Sequence, residues 1–284
     1  MTSRPTPITF LKGHGTENDF VLLPDPDGTL EVNAAQVRAL CDRRAGIGGD
    51  GVIRITPSGD GDRFLMDYRN ADGSLSEMCG NGARLFAHFL YTAGWVPPGR
   101  FTFVTRGGLR EAHQVDGGDI AIGMGPVTVG AVSTTAALLT NGTWQTFEGV
   151  AADVGNPHLV VLTDLALDDL DLSVAPRYDA AAFPAGVNVE FVRVHAPDAV
   201  AMRVFERGVG ETRSCGTGTV AAAAAQLAAR GLTSGDVTVT VPGGAVRVTI
   251  DPVDSTLTGP AVIVASGEID AAWWVATRDD GARG

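Results

Sequence analysis

The chain has 284 residues, 44% of them hydrophobic, which is enough for one large or two medium domains with real cores. Its 21 Lys and Arg stand against 33 Asp and Glu, a formal net charge of −12 with no basic stripe, which argues against nucleic acid as a partner. No apolar run reaches the roughly 18 to 20 residues of a membrane span, and the opening MTSRPTPITF lacks the apolar core of a signal peptide, so no membrane association and a cytoplasmic location are expected. Cys41, Cys79 and Cys215 cannot all pair within the chain and are expected as free thiols in a reducing compartment.

In chain order, NDFVLL from Asn18 and GGDGVIRI come first, followed by FLMDYRNADGSLSEMCGNG, which ends around Cys79. Ala83 to Thr92 is an apolar stretch of helical length. FTFVTRGGLREAHQV then reads as two short alternating strands around a Gly-Gly turn, and GMGPVTVG follows. From Asn156 the same order starts again. NPHLVVL, GVNVEFVRV and VAMRVFERGVGETRSCGTG lead to Cys215, the apolar stretch Val220 to Ala229, the pair VTVTVPGGAVRVTI, and LTGPAVIV. The offset between matched segments stays between 134 and 139 residues, and Asn70 and Glu206 each lie nine residues before their cysteine. This is a two-fold internal duplication, too long in period for a solenoid. The expected fold is α/β in the α+β sense, with two pseudo-symmetric domains, each a mixed, largely antiparallel sheet wrapped around a central buried helix.

The two apolar stretches carry almost no charge on any face, with Arg84 and His88 the exceptions in the first, which suits a helix enclosed by sheet. Cys79 and Cys215 then stand at the N-termini of two buried helices. The glycines beside them permit close backbone approach and leave N–H groups free at the positive end of the helix dipole. Such an end binds a carboxylate or stabilises a thiolate. Two thiols of lowered pKa, one per domain, could take a proton from one face of a carbon and return one to the other. That is the chemistry of a racemase or epimerase. A single Cys before Gly at a helix start is more often packing than catalysis, but two in matched repeats reverse that weighting. A zinc site would need four Cys or His ligands at short spacing, and none is present. Cys41, without a duplicate or a glycine frame, reads as a buried small residue.

The segments FLKGHGTENDF, DRRAGIGGDG, YRNADGSLSEMCGNGAR, GNPH, GVNVEF, FERGVGETRSCGTGT and LTGPAVIV resemble the diaminopimelate epimerase family over almost the full chain. The resemblance implies a cofactor-independent enzyme, with no pyridoxal phosphate and no metal, interconverting LL- and meso-diaminopimelate. It also implies that each domain's last strand crosses to its partner. The expected domains are then residues 1–124 plus 260–284, carrying Cys79, and residues 125–259, carrying Cys215. By the same resemblance Cys79 and Cys215 are the acid/base thiols, supported by His158 and Glu206. Gly80 and Asn81, with Gly216 and Thr217, supply amides around the reacting carboxylate. Asn18, Asn70, Asn156, Asn188 and Arg207, together with Glu206, complete the substrate-binding set. The expected partners are diaminopimelate and a second copy of the chain in a homodimer. Three departures stand out: GTENDF where the family usually reads GLGNDF, Gly51 where some members carry a substrate-contacting Gln, and CGTGT for the commoner CGSGA. The proline racemase relatives also use two thiols, with Cys-Gly-His-Gly at one of them, and Asn81 in place of that His favours the larger substrate. A thiol redox switch or a carboxylate-binding module without turnover is the alternative from another class. Redox enzymes usually carry Cys-x-x-Cys or a nearby resolving Cys, which this chain lacks.

Overall fold

The computed structural model describes residues 7–279 apart from 60 and 62, with backbone alone at 131–133 and 279. Two units emerge, one from the chain up to Ile120 together with the chain from Ala261 onward, the other from Ala121–Pro260.

In the first unit, β1 (Ile8–Gly15) and β2 (Asn18–Pro24) form a hairpin whose two turn residues, Thr16 and Glu17, have φ of 49° and 60°. Helix α1 (Ala34–Cys41) opens on a capping box in which Asn33 and Gln36 each bond the other's backbone. Then come β3 (Gly51–Pro57), β4 (Phe64–Asn70), α2 (Gly80–Thr92), the hairpin β5 (Phe101–Thr105) and β6 (Gly108–Gln114), and β7 (Ile120–Gly123), inside which the units divide. The second unit contains β8 (Thr128–Thr140), β9 (Thr143–Asp153), β10 (Pro157–Leu162), β11 (Arg177–Tyr178), β12 (Asn188–Ala196), β13 (Ala199–Glu206), β14 (Gly210–Thr212), α3 (Gly216–Ala229), β15 (Gly235–Val241), β16 (Gly244–Ile250) and β17 (Ser255–Gly259). Finally β18 (Val262–Ile269) and α4 (Ala271–Asp279) return to the first unit, where β18 pairs antiparallel with β1.

The duplication read in the sequence is a duplication of strand pairing. In the first unit β1–β2 is antiparallel, β2–β3 parallel, β3–β4 antiparallel, β4–β5 parallel and β5–β6 antiparallel. The same alternation recurs in the second unit along β9–β10, β10–β12, β12–β13, β13–β15 and β15–β16. Each sheet encloses its long helix. Helix α2 packs against β1 to β4, β6 and β18, and α3 against β8 to β10, β12, β13 and β15 to β17. Every α2 residue from Gly80 to Ala87 is buried, and so is every α3 residue from Gly218 to Leu227. A helix covered on all sides must be apolar on all sides, which explains the unpatterned Ala-rich run of α3.

One detail sharpens the sequence reading and one differs from it. The helices begin at Gly80 and Gly216, and the cysteines stand at their N-termini as read: each is itself the N-cap, and Gly-x-Gly forms the first turn ahead of the apolar stretch. The junction expected at 124/125 falls at 120/121. Met124 donates its N–H to Ser255 O at 2.8 Å and the Ser255 hydroxyl donates to Gly125 O at 2.6 Å, which ties this segment into the second unit.

Cys41 closes α1 and packs with Val21, Leu40, Val52 and Trp274, as a small core residue. Burial pushes its thiol up to about 12.

Candidate active site

In the first unit the extended backbone of Cys79 (φ −134°, ψ 120°) turns its side chain over the first turn of α2, where Gly82 N–H donates to Sγ at 3.5 Å. The Cys79 thiol donates to Asn18 Oδ1 at 3.5 Å, and the same oxygen accepts from Asn81 Nδ2 at 3.2 Å. Asn18 Nδ2 in turn donates to Asp50 Oδ2 at 2.7 Å. Asn18, Cys79, Gly80 and Asn81 are therefore gathered at one helix end, brought there by the start of β2 and the start of α2. The polarity of the Asn18 amide is fixed by the carboxylate of Asp50, which can only accept. Asp50 is braced by Arg43, which also grips Asp19.

Asn70 ends β4. Its Oδ1 accepts from the Tyr68 hydroxyl at 2.8 Å and its Nδ2 donates to Ser74 Oγ at 3.0 Å. Gly51 stands opposite Asn70 in the β3–β4 ladder. A Cβ at Gly51 would lie 2.5 Å from Arg69 O and 2.7 Å from the Tyr68 ring, so the Arg69 carbonyl and the Tyr68 ring together account for the glycine. Glu17, the charged departure, sits exposed in the β1–β2 turn.

In the second unit Cys215 caps α3 in the same way, with Gly218 N–H donating to Sγ at 3.4 Å and the Thr217 hydroxyl 3.6 Å from Sγ. Here the sequence reading needs correcting. Burial holds the Cys215 thiol well above its ordinary pKa, and the carboxylates of Glu206 and Glu190 push it further in the same direction. One amide and one hydroxyl at the helix end do not offset desolvation plus two anions. The surroundings of Cys215 therefore favour the thiol over the thiolate. Thr212 Oγ1 donates to Glu206 and holds that carboxylate in place.

His158 on β10 faces Asn188 across the parallel β10–β12 pair. Its Nδ1 lies 2.7 Å from Glu190 Oε1 and its Nε2 3.0 Å from Asn156 Oδ1, and both His158 and Glu190 are fully buried. Asn188 donates to Pro157 O at 3.3 Å and accepts the Arg207 backbone N–H at 2.9 Å. The Arg207 guanidinium donates to Ala185 O at 2.9 Å. Asn156 and His158 thus form one hydrogen-bonded set with Glu190, while Asn188 and Arg207 form a second that touches Pro157.

Asp50, Tyr68 and Glu190 were missed in the sequence, although each orients a residue that was found. Glu190 carried a readable signal: a carboxylate in the apolar run VNVEFV must be covered by a partner. Among the described residues, no group of three or more His, Cys, Asp or Glu side chains is arranged to hold a metal ion. No helix among them is long and apolar enough to cross a membrane.

Comparison with known proteins places the sequence in a family. The family model for diaminopimelate epimerase matches residues 10–130 and 150–268. A diaminopimelate epimerase of Rhodococcus jostii is 49% identical over 290 residues, covering 94% of this chain and 99% of its own. That of Corynebacterium glutamicum is 51% identical over 277 residues, covering 92% and 98%. In fold alone, the chain is similar to the crystal structure of a PhzF-family phenazine biosynthesis protein from Bacillus anthracis, with TM-score 0.68, 16% identity and 93% and 99% coverage of the two chains. It is likewise similar to a hydroxyproline epimerase from Agrobacterium vitis, with TM-score 0.66, 17% identity and 93% of each chain covered. The chain belongs to the diaminopimelate epimerase family.

Proposed function

We propose that the protein interconverts LL-2,6-diaminopimelate and meso-2,6-diaminopimelate by a cofactor-independent proton transfer at the α-carbon, a step toward lysine and peptidoglycan precursors. The observation that carries this reading is the recurrence of one arrangement, a cysteine capping the N-terminus of the enclosed helix in each unit.

One thiol from each unit works on one face of the carbon. Cys215, held protonated by burial and by Glu206 and Glu190, enters as the proton donor. Cys79, beside Asn18 and Gly82 N–H, removes the proton from the other face and the roles reverse in the opposite direction. As the proton leaves, charge spreads onto the neighbouring carboxylate. The first-turn amides at Gly80 and Asn81, and at Gly216 and Thr217, have no carbonyl one turn earlier and are suited to that charge, each good donor contributing about 3 kcal/mol. His158 and Glu206 support the thiols. Asn18, Asn70, Asn156, Asn188 and Arg207 read the distal amino-acid centre, the guanidinium by gripping a carboxylate. The two domains follow the two units, the first carrying Cys79 and the second Cys215, the protein works in the cytoplasm, and it forms a homodimer.

The deciding experiment is incubation with LL-diaminopimelate in deuterium oxide, read by chiral chromatography and mass spectrometry. Formation of the meso isomer with deuterium at the inverted α-carbon is expected. A thiol redox protein or a carboxylate-binding module gives neither isomer nor label, and that result overturns the reading.

A further inference from the structure

Among the described residues Arg84 is the largest fully buried side chain, set one turn into a helix that is otherwise almost uncharged. Its Nη2 donates to Asn81 Oδ1 at 2.9 Å and Thr16 Oγ1 at 3.0 Å, while Nε and Nη1 have no hydrogen-bond partner. Among the described residues no carboxylate forms an ion pair with it. A guanidinium taken wholly out of water without a matching anion is among the most costly things a fold can hold. Apolar residues of equal volume would serve the packing better, so packing does not account for it.

The surrounding charges narrow what the cation serves. On the strands packed against α2, Lys12 pairs with Asp19, Arg54 with Asp25, Arg69 and Arg106 with Asp67, and Glu111 with Arg100. Of the remaining groups there, His14 accepts the Glu17 N–H, Arg110 donates to Leu109 O, and His113 and Glu268 lie on β6 and β18. Desolvation pushes Arg84 down to about 10, leaving it charged at neutral pH, and the anions that oppose that push are Cys79 first and then Asp119.

The geometry supplies the route. Arg84 donates to Asn81 Oδ1, Asn81 Nδ2 donates to Asn18 Oδ1, and Asn18 Nδ2 donates to Asp50. A cation at one end and an anion at the other leave each amide a single orientation. The Cys79 sulfur hangs on the middle of this line through Asn18 Oδ1. In the second unit the place five residues after the cysteine is taken by Val220, and the charges near Cys215 are anionic.

On the reading that Cys79 is an acid/base thiol, we propose that Arg84 is a positioning residue whose buried guanidinium, acting through Asn81 and Asn18, is the counter-charge for the thiolate formed when Cys79 gives up its proton. Asn18 Oδ1 accepts from the protonated thiol, and Arg84 offsets the loss of that hydrogen bond when the proton leaves.

The test uses the full chain without substrate, so its outcome is separate from that of the epimerase assay. Iodoacetamide alkylation of Cys79 and Cys215 is followed site by site against pH by peptide mass mapping, in wild type, Arg84→Lys and Arg84→Met. The Cys79 midpoint is expected to rise by about one pH unit or more in Arg84→Met, with alkylation at pH 7 slowed about tenfold, and to rise less in Arg84→Lys, which keeps the charge. The Cys215 profile should stay where it is, since general loosening would shift both. Should Arg84→Met fail to fold, the Arg84 Nε resonance of isotope-labelled wild type is followed through the same pH range. A shift tracking the Cys79 midpoint is expected there. A smaller rise in the Met variant, equal rises in Met and Lys, or an Arg84 signal blind to the Cys79 titration overturns the proposal.

Discussion

Gly218→Ala tests the second helix end at its tightest point. The added Cβ would stand 2.8 Å from Glu190 Oε1, 3.2 Å from Cys215 Cβ and 3.3 Å from Cys215 Sγ. Glu190 has no room to retreat, because it is fully buried and held 2.7 Å from His158. Alanine's higher helix propensity favours the variant by about 1 kcal/mol at most, while an extra methyl forced into a packed site costs about 1 to 3 kcal/mol. The net is a loss of about 1 kcal/mol, or roughly 2 to 4 °C in Tm for a chain of this size. Activity should suffer more than stability. The sulfur and the carboxylate must part by several tenths of an ångström, and since displacement by about 1 Å costs about a hundredfold, kcat/KM should fall about 10- to 100-fold. Gly82→Ala is the matched control from the first repeat. There the Cβ meets only side-chain ends, Ile53 Cδ1 at 3.0 Å, Met66 Cε at 3.1 Å and Phe20 Cζ at 3.4 Å, which can yield. Its turnover should stay within a few-fold of wild type. Epimerisation assays with melting curves on both variants decide the matter. Equal effects at the two glycines, or wild-type turnover in Gly218→Ala, would refute the argument from Glu190.

Cys79→Ala and Cys215→Ala should each abolish epimerisation in the chiral assay. Cys41→Ser should turn over near the wild-type rate yet melt lower, since it sets a hydroxyl among apolar neighbours at a cost of about 1 to 3 kcal/mol. Glu206→Gln removes an anion that disfavours the Cys215 thiolate, so the alkylation midpoint of Cys215 should move to lower pH; an unmoved or higher midpoint contradicts the assignment. Glu17→Gly relieves a non-glycine residue at φ 60°, and thermal melting should show a gain of about 1 kcal/mol with turnover unchanged. Activity should survive EDTA and hydroxylamine, and recovery only on adding a metal or pyridoxal phosphate would overturn the cofactor-independent mechanism.

The duplication was legible because repetition supplied the evidence twice, as matched segments in one order; which strand pairs with which was not. NDFVLL pairs in parallel with the strand that starts at Gly51, and NPHLVVL in parallel with the matched strand that starts at Asn188, passing over the short β11. The capping cysteines were legible for a local reason, since Cys-Gly-x-Gly before an apolar run is a helix start whatever surrounds it. The ionisation of Cys215 was not. Its sign depends on Glu190, on a strand 25 residues away, and on Glu206, and no local window reports which charges the fold will bring to a sulfur. Arg84 was noticed as an exception in an apolar helix, but only its depth and its two unpartnered nitrogens reveal its cost. Gly51 shows the same limit: its neighbours in space are the Arg69 carbonyl and the Tyr68 ring, which the sequence did not connect to it.

The return of β18 to pair with β1 places Ile8 opposite Ile269, nearly the whole length of the chain away. At a synthesis rate of about 5 to 20 residues per second, the first strand leaves the ribosome roughly 10 to 50 seconds before its outer neighbour exists. The second unit, contiguous in sequence, can close in that interval. The first cannot complete its sheet, and β1 spends the time as an open edge with β2 on its other side only. Release of the last segment is therefore the event that seals this edge, and a chain stopped short at Pro260 would keep a ready template for pairing with other nascent chains.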